Sequence, residues 1–349
     1  MKKLIIKKIK KTDILFLDNN YLQLKTKKYS WQNLNVNIIN LFYIKYFFKN
    51  LITNFFSLSL KEIYLKSVIE SYSPKIIIDN HTNARSMYYK KFLKEIFCIT
   101  YQNFIMRLKE RSVYKKLHKG VFCDFFITFS QQDTNFFSNF IRAKFLALGS
   151  LKNNSVRLSK KTNKKIQLLL ISEYRANNED LPHFRNYIKA VDIIRSFCKK
   201  KKIIPYVALS SLRKEKKGHR KIQDEILFFK KTLGRFKWLN RDSYHLSHES
   251  NLIVFHNSNL GYELLARGFK TVMINSSSQL SKKLMNPYYP LKSFFCLYPP
   301  RQKIYRNLNR IYFMSLKNWK KRIKQYNHIN FDQGNKKFEL LLDQLIKKK

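Results

Sequence analysis

The stretch best equipped for chemistry runs from Leu252 to Asn275, LIVFHNSNLGYELLARGFKTVMIN. Leu252 to Phe255 predict a buried strand that hands the chain to a polar cluster, Asn257, Ser258 and Asn259, at the start of a helix. The first N–H groups of a helix have no partner within it, and the helix dipole adds positive potential there, so such a start suits an anion. Gly261 lets a ligand or the preceding strand come close. Glu263, about one turn further on, can accept hydrogen bonds from ribose hydroxyls, and Gly268 ends the helix ahead of Lys270. This pattern points to a phosphorylated ligand that carries a ribose, such as a nucleotide. The same residues admit a plainer reading, in which Asn257 or Ser258 only caps the helix and Glu263 is a capping-box or solvent carboxylate. With one glycine in the turn, the segment is neither a G-x-G-x-x-G fingerprint nor a P-loop.

The elements around this turn alternate. Strands are predicted at 166–171, 203–209, 236–239, 252–255 and 271–274, and helices at 183–199, 219–233, 243–250 and 260–267, the grammar of a doubly wound sheet. The first half repeats the theme less cleanly. A helix over 61–69 breaks at Ser71 to Pro74, strands follow near 75–80, 97–103, 125–130 and 144–148, and several end in polar residues, as at the carboxyl edge of a parallel sheet. Leu41 to Phe48 is apolar nearly all round and could be a buried or a membrane-surface helix. Residues 151–165 read as a basic interdomain linker, and helical character returns from Ile304 onward.

A chain of 349 residues with 44% hydrophobic and 15% aromatic content can bury two cores. Its formal charge of +48 admits a polyanionic partner, yet the lysines sit in every segment, and the abundance of Asn, Ile, Phe and Tyr fits a drift toward AT-rich codons. Cys98, Cys123, Cys198 and Cys296 are too scattered for a metal cluster and read as reduced packing residues of a cytosolic protein. The N-terminus is a poor signal peptide, and no apolar run is long enough to span a bilayer. A cytoplasmic protein, at most peripheral at the inner face of the membrane, is expected.

The string NSNLGYELLARG, residues 257–268, resembles the STLGYE-x-L-x-RG signature of bacterial surface-carbohydrate biosynthesis proteins, which are similar to glycosyltransferases of the GT-B type. Ile78 to Asn80, Gln102-Asn103, Leu148 to Asn154 and Ile171 to Arg175 resemble further segments of that family, in the expected order. Phe104 stands where the family usually has glycine, and Asn259 where it commonly has threonine. The resemblance implies an α/β protein of two Rossmann-like domains facing across a cleft, an acceptor-side domain over 1–155 and a nucleotide-sugar-binding domain over 156–310. A C-terminal helical segment, 311–349, is then expected to pack back on the first domain.

The resemblance further implies a metal-independent transferase with no cofactor, the nucleotide-sugar serving as co-substrate and a glycan or lipid-linked acceptor of capsule or lipopolysaccharide receiving the sugar. Ser258 and the following amides would hold phosphate, Glu263 ribose, Ser243 and Tyr244 base or phosphate, and Arg213 or Lys214 the developing charge. For Arg213, Lys214 and Tyr244, solvated loops are an equal alternative. Asp79 and His81, just past a strand, are the candidate general base, against a capping aspartate and a surface histidine. His256 could stabilise the leaving group or simply pack. The basic surface and aromatic N-terminal stretch suit anionic lipid. Rival expectations are a non-catalytic, epimerase or phosphosugar-transferring member of the same fold, or a basic nucleic-acid-binding protein, although no nucleic-acid module is recognisable.

Overall fold

The computed structural model describes residues 3–5, 9–17, 28–34, 38–40, 42–106, 108–159, 164–174, 182–210, 222–276, 294–324 and 329–348. The chain divides into two compact units. The first comprises Met1–Phe104, Val113–Ser155 and Asn330–Lys349, and the second Ile105–Ser112 and Val156–Ile329.

In the first unit, β1 (Lys3–Ile5) pairs with β4 (Ile38–Asn40), while six parallel strands form the main sheet. These are β2 (Ile14–Phe16), β3 (Trp31–Asn33), β5 (Ile76–Asn80), β6 (Phe97–Tyr101), β7 (Phe122–Thr128) and β8 (Arg142–Ala147), in the order β3-β2-β5-β6-β7-β8. Side chains alternate across a strand, so a sheet covered on both faces needs apolar residues at successive positions. Ile14, Phe16, Ile76 and Ile78 pack on one face with Phe338, Leu342 and Leu345 of the C-terminal helix, Lys336–Lys347. Leu15, Leu17 and Ile77 pack on the other with Tyr43, Val68 and Ile69.

Tyr43 lies in α1 (Phe42–Asn54), and Val68 and Ile69 in α2 (Leu60–Ser71). The latter begins at a capping box in which Ser59 and Glu62 satisfy each other's backbone N–H. Strands β2 and β3, of three residues each, fall below the length at which periodicity speaks, and the sequence reading passed over them. The short helices are α3 (Arg85–Tyr89), α4 (Leu108–Leu117), α5 (Gln131–Ser138) and α6 (Leu151–Ser155).

The linker expected over 151–165 begins too early. Residues 151–155 are α6, with Leu151, Asn153 and Asn154 buried. Asn154 donates to the Leu148 carbonyl and accepts the Asp332 N–H at 3.1 Å, and Asn335 donates to the Leu151 carbonyl at 2.8 Å. The polar composition that suggested a linker instead forms a socket for residues 330–335. Gly149 completes it, with φ +87° and the Asn330 carbonyl oxygen 2.0 Å from where a Cβ would stand.

The second unit carries β9 (Ile166–Ile171), α7 (Pro182–Lys201), β10 (Tyr206–Ala208), α8 (Ile222–Thr232), α9 (Ser243–His248), β11 (Ser250–Phe255), α10 (Asn259–Ala266), β12 (Thr271–Ile274), β13 (Cys296–Leu297), α11 (Arg301–Phe313) and α12 (Leu316–Ile323). Its five parallel strands run β10-β9-β11-β12-β13. The strand expected at 236–239 reduces to a single bridge between Lys237 and Tyr206. The main sheet of the first unit therefore has the doubly wound order 2-1-3-4-5-6 and that of the second 2-1-3-4-5, and each reverses direction between its first and third members. All four cysteines are free and buried, and burial pushes the Cys123 and Cys198 thiols up to about 12.

Gly149→Ala must strain both the left-handed backbone and the Asn330 contact, and we expect a loss of about 2 kcal/mol or more in urea unfolding. An unchanged unfolding free energy would contradict the socket geometry.

Candidate functional site

Ligands of doubly wound sheets bind beyond the carboxyl ends of the strands where the order reverses. In the second unit that point lies between β9 and β11, where the chain passes through Ser172-Glu173 on one side and His256-Asn257-Ser258 on the other. A carboxylate ties the two together. One Glu173 oxygen accepts the backbone N–H of His256 at 3.0 Å and of Asn257 at 2.5 Å. The first two amides of the turn thus already hold an anion from the chain itself, and a second anion must use the amides from Ser258 onward.

Ser258 is the N-cap of α10, with extended backbone at φ −75° and ψ 135°, but its side chain makes no capping hydrogen bond. The Asn259 amide oxygen accepts the Ile105 N–H at 3.2 Å, which fixes that side chain beside the helix start. Gly261 settles one choice left open by the sequence: a Cβ there would fall 2.2 Å from the Phe255 ring, so the glycine admits the preceding strand.

Glu263, one turn along α10, is buried and receives the Tyr244 hydroxyl proton in a short hydrogen bond. Four residues on, Arg267 lays its guanidinium 5.6 Å from the centre of the Tyr244 ring and donates to the Val156 carbonyl at 2.9 Å. Burial lowers the Arg267 pKa, and Tyr244 and Glu263 oppose that shift. Tyr244 is therefore a packed member of this cluster, not a solvated loop residue. Ser243 opens α9 beside it, and Asp242 accepts the Tyr244 N–H at 2.8 Å as the cap.

His256 hydrogen-bonds the Ile274 carbonyl through Nδ1 at 2.7 Å, so a neutral ring carries its proton there and presents Nε2 as an acceptor. Arg213 and Lys214 lie outside the described residues.

Sequence reasoning missed Glu173, Glu225 and Arg267 as organisers of this edge. Glu225, fully buried in α8, accepts the Ser172 hydroxyl and the Ser210 N–H, the latter at 2.9 Å, and so joins the loops after β9 and β10. Arg267 was legible as the i+4 partner of Glu263 on a helix. Glu173 was not, because its partners lie more than eighty positions downstream. Among the described residues no group of three or more His, Cys, Asp or Glu could hold a metal ion.

In the first unit, Asp79 lies near the end of β5 and His81 directly after it, at the corresponding reversal between β2 and β5. Both are fully buried. Asp79 accepts the N–H groups of Arg85 at 2.6 Å and Ser86 at 3.3 Å, the work of a capping residue at α3. His81 is no surface residue. Its Nδ1 accepts the Asn103 N–H at 3.2 Å, and its Nε2 has no hydrogen-bond partner among the described residues. The ring packs 4.8 Å from Phe104 and 5.6 Å from Tyr114, centre to centre. Desolvation, with a smaller repulsion from His118, lowers its pKa to about 3, against the Asn103 bond, which raises it. In this arrangement Asp79 holds the start of α3 and the His81 Nδ1 lone pair is taken up by the Asn103 N–H. Neighbouring Gln102 accepts the Phe129 N–H at 2.9 Å and donates to Asp133 at 3.1 Å, which ties the ends of β6 and β7.

Two doubly wound α/β units of this kind define the fold of the GT-B glycosyltransferases. Wall teichoic acid polymerase TagF, in the H444N form soaked with CDPG, matches over 98% of this chain and 90% of its own, with a TM-score of 0.51 and 11% identity. The UDP-GlcNAc 2-epimerase from Methanocaldococcus jannaschii, in complex with UDP-GlcNAc and UDP, matches over 95% of this chain and 99% of its own, with a TM-score of 0.51 and 13% identity. The family model described as "putative O-antigen biosynthesis protein" matches residues 105–346, and the chain belongs to that family. No curated protein matches the chain in sequence. No helix among the described residues is long and apolar enough to cross a membrane.

Two outcomes follow from these contacts. Gly261→Ala should cost about 1–3 kcal/mol in denaturant unfolding, and Phe255→Leu in the same chain should return part of it, since the clash is with the ring. For His81, the unfolded chain takes up a proton below about 6.5 while the folded one resists it down to about 3. The stability contributed is therefore complete above 6.5 and lost as the pH falls. His81→Gln, which can still accept the Asn103 N–H, should shrink the stability difference between pH 7 and pH 5 by about 2 kcal/mol. An identical pH dependence in both proteins would refute the buried neutral imidazole.

Proposed function

We propose that the second unit binds the nucleotide half of a nucleotide-sugar at the carboxyl edge of its sheet, and that the protein transfers the sugar to a glycan or lipid-linked acceptor during surface-polysaccharide assembly. The observation that carries this reading is the start of α10 at the β9–β11 reversal, where the Ser258 side chain makes no capping bond and buried Glu263 follows one turn later. In this reading the Ser258 hydroxyl and the first-turn amides receive the diphosphate, and the helix end stabilises the charge that grows on it as the glycosidic bond breaks. Asn259 flanks that position, and Asn257 and Gly261 shape the turn.

Glu263 accepts from the ribose. The Tyr244 hydroxyl, donating to this carboxylate, orients it. Ser243 borders the base or phosphate, Arg213 neutralises the leaving group, and no metal or further cofactor takes part. The family's O-antigen description and the UDP and UDP-GlcNAc held by the epimerase of like fold support the substrate class. That epimerase also favours a second reading, in which the bound nucleotide-sugar is isomerised and not transferred. Product analysis separates the two.

The test is a thermal-shift series with UDP, GDP, CMP and their sugars. A nucleotide at a hundredfold excess over its Kd should stabilise the fold by about 2.7 kcal/mol, a shift of several degrees. Glu263→Gln should abolish most of that shift while leaving the ligand-free protein folded. If no nucleotide raises the melting temperature of the wild-type chain, the donor site is not there.

A further inference from the structure

The first unit carries an apolar surface that the donor reading does not use. Helices α1 and α2 form a hairpin whose inner side is closed: Tyr43 and Tyr72 share a hydroxyl hydrogen bond of 3.1 Å, and Asn50 donates to Ser67 at 3.1 Å. Its outer side is the reverse of what water selects. Ile44, Phe48 and Ile52 follow at four-residue spacing along α1, so they form one stripe. Phe48 is 58% exposed and Ile52 82%. The turn that follows adds Phe55 at 59% and Phe56 at 100%, two rings packed edge to face on each other, and Leu60 opens α2 at 63%. Contiguous apolar exposure on this scale marks an interaction site.

The surrounding charge selects the occupant. Lys45, Lys49 and Lys61 are exposed, and among the described residues no carboxylate pairs with them. The two acids of α2 are engaged, Glu62 by Ser59 and Lys91 and Glu70 by Asn50 and Lys66. Aromatic and aliphatic side chains at a tip, ringed by lysines whose stems reach past the apolar layer, match the boundary between acyl chains and anionic headgroups.

We infer that this hairpin docks on an anionic lipid bilayer, with Phe55 and Phe56 entering the acyl region and Lys45, Lys49 and Lys61 meeting the headgroups. The inference is independent of the donor site, because docking requires no nucleotide.

Flotation of the full chain with vesicles tests it, comparing pure phosphatidylcholine with phosphatidylcholine containing roughly 30% phosphatidylglycerol. The wild type should float with the anionic vesicles at low salt and partly release at high salt. Phe55→Ser with Phe56→Ser should reduce the partition coefficient at least tenfold at an unchanged melting temperature, since both side chains face water in the folded unit. Lys45→Glu with Lys49→Glu should abolish the preference for anionic lipid. Wild-type binding by the Phe55/Phe56 variant would overturn the inference. So would a failure of the wild type to float, or sedimentation showing that the same residues hold two copies of the chain together.

Discussion

At the seam between β9 and β11 the second unit must bring two chain segments, far apart in sequence, to one edge of a sheet. The Glu173 carboxylate does this by accepting two backbone N–H groups of the turn that follows β11. A buried turn must satisfy its amides from somewhere, and a carboxylate from the neighbouring strand satisfies them while fixing the offset of the two strand ends. The direction of α10 follows, then the fit of Gly261 against Phe255, then the meeting of Glu263 with Tyr244. The anchor is itself negative, so in the proposed reading a phosphate binds beyond Ser258 and not at Asn257.

Much of this was legible in the sequence where a signal spans several residues in a row. The runs Ile76 to Ile78 and Leu252 to Phe255 could only be interior strands of parallel sheets, and the polar residues after them mark the reversal points. Tyr244 and Glu263, named separately as ligand contacts, prove to be neighbours. The misreadings share a cause. Residues 151–155 look like the start of a connector because asparagine and serine are loop residues on average, yet Asn154 accepts the Asp332 N–H and the Leu151 carbonyl receives Asn335, and nothing local announces such partners. Asp79 and His81 stand at the strand end where the sequence puts them, while their hydrogen bonds to Arg85, Ser86 and Asn103 depend on how the chain turns back and could not be read from it.

The charge imbalance throws light on the acids that remain. Against 70 lysines and arginines stand 22 aspartates and glutamates, so a carboxylate is scarce and its position tells. Glu62 and Asp133 take part in the starts of helices, Glu173 anchors a turn, Glu225 joins two loops, and Glu263 sits in the Tyr244 cluster. These acids sit where a backbone N–H or a hydroxyl would otherwise go unmet. Lysines are found all along the chain, so what sets the α1–α2 tip apart is the exposed apolar group that they surround there.

The socket around Gly149 has a consequence for synthesis on the ribosome. Phe338, Leu342 and Leu345 belong to the core of a sheet whose strands were all completed by Ala147, with the whole of Val156–Ile329 translated in between. The half begun first is therefore finished last. Until the closing helix emerges, Ile76, Ile78 and their neighbours lack one cover, and the nascent sheet presents an apolar face for the time needed to translate the second unit. The Asn330 backbone seated on Gly149 is the latch that ends this exposed interval.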